Sequence, residues 1–376
     1  MFNLPMDKNI KTLVIGGATL DTIIEYEEML TMNMQRKDSN QSFMLLEEGA
    51  KIEVKEHNSF SGGGATNTAV SFKKQGLDVS FFGKVGKDIA GEKIIKELLD
   101  LGIDTSNVRY SDTYGTATSY VIPSLGGDRT IFAYRGANRD ILKDDLPYDA
   151  IKSSDFIYIT SLSKASAARL PEIVKIASES NVKVAINPGS SQLDVGESFI
   201  KDSMFGIDTL VLNYQEAKKL MMSLLSTANS DVIEVRDDNT NENLIETSTA
   251  VFQDATFRLK SFFKLCLNLG PRIIVVTDGE KGVYAATKEC LYHSEAIYTE
   301  NVVNTLGAGD AFSSTFCANI YKNKKIPEAI QYALINSSQV IQYPDAKSGL
   351  QTFEDIEKIK SWLDKELDKN IKVISW

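Results

Sequence analysis

The stretch "NTLGAGDAF", residues 304–312, decides the reading of this chain. Gly307, Ala308 and Gly309 stand ahead of a helix-like run, 311–321, and Asp310 falls in what would be its first turn. A helix N-terminus carries unpaired amides and a partial positive charge, so it binds a developing anion when no side chain blocks the approach. Glycine and alanine remove that obstruction. The same field favours an ionised Asp310, a weak base, and phosphoryl transfer asks only for a base that takes the alcohol proton late. Taken alone, the stretch reads first as an ordinary glycine-rich helix start whose acid complements the dipole, and only second as catalytic.

A second segment changes that weighing. "SGGGATNTAV", residues 61–70, again sets glycines before a helix, with Asn67 near its start. A lone run of glycines is a tight strand-to-helix turn. Two such starts at opposite ends of one α/β unit are a stronger signal.

Between them, short apolar runs alternate with helical periods. The runs at 12–18, 79–86, 155–160, 182–187, 208–213 and 272–279 read as buried strands of a parallel sheet. Helices are expected at 64–75, 88–101, 164–179, 214–225, 254–269, 307–322, 326–342 and 353–369. This is a doubly wound α/β pattern with a mostly parallel central sheet flanked by helices. Two regions, 24–60 and 107–137, break the alternation with hairpin-like pieces, one containing the Gly-Gly-Asp turn of "GGDRTIFAY". They predict a small β-sheet lid, which can cover a ligand or pair with a second copy of the chain as a homodimer. A stretch at 226–250 is rich in Asn, Asp, Glu, Ser and Thr and reads as an exposed acidic insertion.

Composition removes several function classes. The 376 residues are 43% apolar, enough for a sizeable core, and carry a formal charge of −10. Dispersed acidity argues against nucleic acid or an anionic membrane surface as partner, so a phosphate-bearing ligand would have to be met by local donors and a metal ion. The apolar run at 12–20 stops at Asp21 and is too short for a membrane span or secretory signal, which makes a cytoplasmic protein the expectation. Cys266, Cys290 and Cys317 lack zinc or redox spacing and read as buried free thiols. His57 and His293 read as surface or loop residues, leaving little material for a triad.

These residues resemble the PfkB, or ribokinase-like, carbohydrate and nucleoside kinases. The two glycine segments look like that family's signature regions, "VLNYQEAKKL" (211–220) looks like its Asn-x-x-Glu motif, and "VVTDGEKGVY" (275–284) looks like its nucleotide-binding turn. The resemblance runs from about Thr12 to about Glu357 and implies one kinase domain over 1–376 that uses ATP and Mg2+ to phosphorylate an alcohol. It implies Asp310 as general base and the amides of Gly307, Ala308 and Gly309 as anion hole. Asn213 and Glu216 would order magnesium-bound water and the phosphates, Thr277 and Gly279 would line the nucleotide path, and Asn336 would lie near the adenine. On the acceptor side, Asp21, Gly63, Gly64 and Asn67 would meet sugar hydroxyls. The late motif usually opens with Asp, so Asn304 offers a monovalent cation such as K+ an oxygen but not a charge.

The resemblance implies a kinase acting on a sugar or sugar acid. A nucleoside kinase is the nearest alternative, and a sensor that kept the fold without the chemistry is a third reading. Phe43, Phe60, Tyr120, Phe132 and Tyr134 are aromatic candidates on the small sheet, and Arg129 either reaches a charged substrate group or stays solvated.

Overall fold

The computed structural model describes residues 9–25, 30–36, 39–123, 129–227, 249–252 and 255–376. Its centre is a nine-stranded sheet in the order Lys372–Ser375, Cys290–Ser294, Val283–Ala286, Ile273–Thr277, Thr209–Asn213, Lys183–Ile186, Phe156–Ile159, Lys11–Ile15 and Asp78–Phe82. The strands from Ile273–Thr277 to Asp78–Phe82 are parallel, and the other three add an antiparallel edge. Side chains alternate across the sheet, Leu13 and Ile15 joining one core and Val14 the other, so both faces must be covered by helices.

Both glycine-led helices, Gly64–Lys74 and Ala308–Tyr321, lie on the same face. Small polar residues let them approach closely: the Ser314 hydroxyl donates to Ser71 Oγ at 2.7 Å. Tyr321 stacks on Phe156 of the sheet with ring centroids 4.1 Å apart, anchoring the far end of the later helix.

After Lys11–Ile15 the chain leaves for a small sheet and returns on the opposite side, so strand order reverses between Lys11–Ile15 and Phe156–Ile159. Ligands of open α/β sheets bind in the crevice at such a reversal, beyond the carboxyl ends of the strands. Gly16 and Thr160 sit there, packed so closely that a Cβ on Gly16 would lie 2.0 Å from Thr160 Oγ1.

The small sheet runs Arg129–Tyr134, Ala117–Pro123, Thr19–Glu25, Glu56–Gly62. The region expected as 24–60 differs in detail: strand Thr19–Glu25 starts earlier, and Leu30–Arg36 with Ser39–Leu45 forms a separate hairpin. That hairpin leaves Leu30, Met32, Phe43 and Leu45 exposed. The Gly-Gly-Asp turn at 126–128 and all but the ends of the 226–250 insertion lie outside the described residues.

Other expectations need correction. The run 79–86 is two strands, Asp78–Phe82 and Lys84–Gly86, because at Gly83 the backbone passes where a Cβ would sit 2.7 Å from the Gly16 carbonyl. The helix expected from 254 begins at Leu259; Ala255–Arg258, with a β-branched and an aromatic residue, instead pairs with Thr249–Phe252. Lys164–Arg169 is a 3-10 turn ahead of helix Leu170–Glu179. His293 is no loop residue: it is buried in strand Cys290–Ser294 against the Tyr284 ring. Cys266 and Cys317 are buried as expected, whereas Cys290 is only half-buried. No helix among the described residues is long and apolar enough to cross a membrane.

Candidate active site

Asn138 holds the chain where it passes from the large sheet to the small one. Its Oδ1 accepts from the Ala18 amide at 3.0 Å and its Nδ2 donates to the Ala18 carbonyl at 2.9 Å, the pairing a neighbouring strand would otherwise supply. Three residues on, Asp21 lies over Gly62, where a Cβ would meet Asp21 Oδ2 at 2.0 Å. Ser119 donates to the other carboxylate oxygen at 2.5 Å. Burial raises the Asp21 carboxyl above its usual range, against the Ser119 bond and the charges of Lys347 and Arg135.

The early glycine turn shows why no larger residue fits. Gly63 has φ +93°, and a Cβ there would lie 2.6 Å from the Gly17 carbonyl oxygen. One turn into the following helix, Asn67 Nδ2 donates to Asp310 Oδ2 at 2.8 Å. Its own Oδ1 is buried without a hydrogen-bond partner among the described residues. Such an atom costs stability unless a ligand donor satisfies it.

The late helix begins with Gly307 in the left-handed region at φ +79°, backed so closely by Ala346 that a Cβ would sit 2.4 Å from the alanine methyl. At Gly309 the situation is opposite: a Cβ would meet nothing within 4 Å. The loop before it is braced by Asn304, whose Oδ1 accepts from the Leu306 amide at 2.9 Å and whose Nδ2 donates to the Pro344 carbonyl at 3.1 Å. Arg129 of the small sheet donates to Thr305 Oγ1 at 2.7 Å. Asp310 is half-buried at the cavity floor, and its carboxyl is pushed up to about 6, first by loss of solvent and then by the Asp21 charge, with the Asn67 bond and the Lys347 charge opposing.

Residues 305–310 form a wall between two cavities. Leu306 and Asp310, with Asp21, Gly63, Gly64 and Asn67, line one of about 330 Å³. Thr305, Ala308 and Gly309, with Thr277 and Gly279, line the other, of about 500 Å³. Gly279, at φ +53°, again has open space where a Cβ would be.

Asn213 and Glu216 line neither cavity, yet they sit at the adjacent strand end. Asn213 Oδ1 accepts from the Glu216 amide at 2.9 Å and Glu216 Oε2 accepts from the Asn213 amide at 2.8 Å, a reciprocal cap on helix Tyr214–Thr227. Asn187 Nδ2 adds a 3.4 Å contact to the same Oε2. Burial pushes the Glu216 carboxyl up to about 7, and the Asp310 charge adds to the rise.

Asn336 stands apart from the rest. It is fully buried, donating to Thr315 Oγ1 at 2.7 Å and accepting from the Gln351 amide at 2.8 Å, so it locks the helix to the following loop. Ser337 and Ser338 of the same helix face the larger cavity instead.

The structure adds residues that the sequence reading passed over. Asn187 follows strand Lys183–Ile186, and a polar residue at the carboxyl end of a parallel strand is a recognisable signal. Ser119, Asn138 and Arg135 join the site from strands and turns whose pattern says only hairpin. Lys347 is buried and donates to Ser61 Oγ and, at 2.9 Å, to Glu97. Nothing local in "DAKSG" announces it.

Among the described residues no group of three or more His, Cys, Asp or Glu is placed to hold a metal ion.

Comparison with known proteins bears on family and fold. The sequence profile of the pfkB family carbohydrate kinases matches residues 29–352. The ribokinase of Staphylococcus aureus (strain COL) is 25% identical over 356 residues, covering 93% of this chain and 99% of that protein. The 5-dehydro-2-deoxygluconokinase of Halalkalibacterium halodurans is 23% identical over 369 residues, covering 95% and 96%. Among solved structures, Arabidopsis thaliana ribokinase complexed with ribose and ATP superposes with a TM-score of 0.70 at 20% identity, covering 94% of this chain and 99% of that one. A nucleoside kinase of Methanocaldococcus jannaschii gives 0.69 at 18% identity, covering 96% and 98%. The chain belongs to the pfkB family of carbohydrate kinases and is a phosphotransferase.

Proposed function

We propose that this protein transfers the γ-phosphoryl group of ATP to an alcohol hydroxyl of a sugar or sugar acid. The observation that carries this reading is the wall at 305–310: Asp310 faces the smaller cavity while Ala308 and Gly309 face the larger one. An acceptor in the smaller cavity then presents its hydroxyl to Asp310, and a nucleotide in the larger one brings its terminal phosphate to the helix N-terminus. Asp310 takes the hydroxyl proton as the new oxygen–phosphorus bond forms. The Gly307, Ala308 and Gly309 amides stabilise the charge on the moving group.

Asn67 has two tasks in this scheme: its Nδ2 orients Asp310, and its unpartnered Oδ1 accepts from the acceptor. Asp21 takes further hydroxyl hydrogen bonds. Thr277 and Gly279 shape the nucleotide cavity, where Ser337 and Ser338 replace Asn336 as the lining of its helix wall. Asn213, Glu216 and Asn187 are the residues that would hold Mg2+ through water, and the ion would supply neutralisation of phosphate charge. Asn304 enters as a loop brace; its oxygen is engaged by Leu306, which argues against K+ binding at that side chain. The small sheet acts as a lid within one unit spanning 1–376. Its exposed Tyr120 and Phe132, with the apolar hairpin, suit pairing with a second copy.

A nucleoside acceptor is the second reading, favoured by one observation: Tyr134 lines the acceptor cavity, where an aromatic ring can stack on a base. ADP release from Mg-ATP across sugars, sugar acids, sugar phosphates and nucleosides, with Asp310→Asn as control, decides. Turnover of a sugar or sugar acid that is lost in Asp310→Asn supports the proposal. A nucleoside as sole acceptor, or turnover that survives Asp310→Asn, refutes it.

A further inference from the structure

Beside the acceptor cavity the fold buries a lysine. Lys347 belongs to the loop 341–351 that follows helix Ile326–Val340, and its ammonium donates to Ser61 Oγ and, at 2.9 Å, to Glu97 of helix Ile89–Asp100. Ser61 pairs in register with Leu20, the residue before Asp21, and Gly62 after it is the residue that Asp21 covers. The same loop supports the start of helix Ala308–Tyr321. Ala346, next to Lys347 in sequence, is packed against Gly307, and Asp345 Oδ1 fixes the turn by accepting from the Lys347 and Ser348 amides at 2.8 and 2.9 Å. One side chain thus joins the strand beside Asp21 to the loop behind Gly307.

Lysine is among the residues least often buried, because its ammonium gives up strong hydration. A tie between a loop and a strand needs no charge; a hydroxyl or an amide would make it at lower cost. The charge has a use only where opposite charges need balancing. Burial pulls the Lys347 ammonium down, and Glu97, Asp345 and Asp21 oppose that fall. In the other direction, the Lys347 charge opposes the rise at both Asp21 and Asp310. At Asp21 it acts beside the Ser119 bond and the Arg135 charge; at Asp310 it acts beside the Asn67 bond and against the Asp21 charge. Glu216 and Tyr158, on the far side of Asp310, are themselves raised in part by the Asp310 charge.

We infer that Lys347 is a positioning residue for the transfer: its ammonium, held between Ser61 and Glu97, balances the charges of Asp21 and Asp310 together and sets the acceptor floor against the start of helix Ala308–Tyr321. This rests on the kinase reading and deepens it. Glu97 is then the counterweight, since it offsets part of the lysine's field. Removing the lysine charge and removing the glutamate charge cut the same contact, yet they act on the two aspartates with opposite sign. A purely mechanical tie would respond alike to a cut at either end.

The test follows the aspartate carboxyl carbons by NMR through a pH titration of the full chain without ligand, in wild type, Lys347→Met, Lys347→Arg and Glu97→Gln. Loss of a signal in Asp310→Asn and in Asp21→Asn assigns the two groups. Lys347→Met should raise the Asp310 midpoint above its value of about 6 by roughly half a unit or more, and Glu97→Gln should lower it by a similar amount. Lys347→Arg, which keeps the charge, should stay close to wild type. Lys347→Gln, neutral but still able to donate to Ser61, takes the place of Lys347→Met if that variant does not fold. Midpoints that move the same way in the lysine and glutamate variants, or do not move, overturn the inference. The acid limb of kcat/KM, read by ADP release with D-ribose and with 5-dehydro-2-deoxygluconate as acceptors, should shift in step with the Asp310 signal. Midpoints that shift as expected while the acid limb stays put uphold Lys347 as the balancing cation and refute Asp310 as the base. Midpoints that stay put refute Lys347 whatever the turnover.

Discussion

The Asp310→Asn variant removes a charge that the fold holds against its own interest. The carboxyl is half-buried and pushed from 3.8 up to about 6, chiefly by loss of solvent. A rise of about two units corresponds to ~3 kcal/mol against the ionised form. Between the unfolded value and about 6 the native state binds more protons than the unfolded chain, so stability falls as pH rises through that window and the full penalty applies above it. Asparagine cannot ionise and can still accept from Asn67. The variant should therefore be more stable than wild type at pH 8 by up to ~3 kcal/mol, and by roughly half of that at pH 5. Turnover should fall by about 10²- to 10⁴-fold, because the proposed proton acceptor is gone while the larger cavity is untouched. Urea unfolding of both proteins at the two pH values, beside ATP calorimetry and ADP release, measures each part. A stability gap that does not change with pH, or turnover within tenfold of wild type, would refute the reasoning.

The acid limb of kcat/KM should lie near 6, set by Asp310, and in Asp21→Asn it should move to lower pH because the negative neighbour that raises Asp310 is gone; paired pH profiles check both. Glu216→Gln keeps an oxygen for the Asn213 amide but loses the charge, so the Mg2+ needed for half-maximal rate should rise about tenfold or more with little change in Tm; an unchanged titration curve would count against a metal role. The two glycines of the proposed anion hole should behave oppositely. Gly307→Ala should destabilise by about 1–3 kcal/mol through its left-handed backbone and the Ala346 contact, whereas Gly309→Val should leave stability nearly intact and abolish turnover, as unfolding and rate measurements would show.

The parallel core was legible because its strands are apolar on both faces, and the two glycine-led helices because backbone freedom and an acid leave a local trace. The edge strands Val283–Ala286, Cys290–Ser294 and Lys372–Ser375 were not, since their partners are set by tertiary pairing and not by any period in the chain. The site divides the same way. Asp21, Gly63, Gly64, Asn67 and Asp310 line one cavity; Asp21 lies in a strand, and the others sit at glycine-led helix starts whose chemistry is local. Lys347 comes from a loop far along the chain, and Arg135 owes its place to strand alternation in a hairpin whose register the sequence leaves open. Asn336 lies in the core while Ser337 lines the cavity because one step along a helix turns a side chain by about 100°.

The wall at 305–310 also bears on the order of events. In a kinase with one chamber for each reactant, neither has to leave before the other arrives, and both are present when the bond changes hands. The phosphorus is then inverted once, with no phosphorylated protein waiting between half-reactions. Under the proposed transfer, a nucleotide that arrives alone still faces Asp310 across an empty acceptor chamber, where water is the only nucleophile. Restraint against idle ATP hydrolysis thus depends on how poorly water fills the place of a polyol, and the chamber that selects the substrate is also the one that protects the nucleotide.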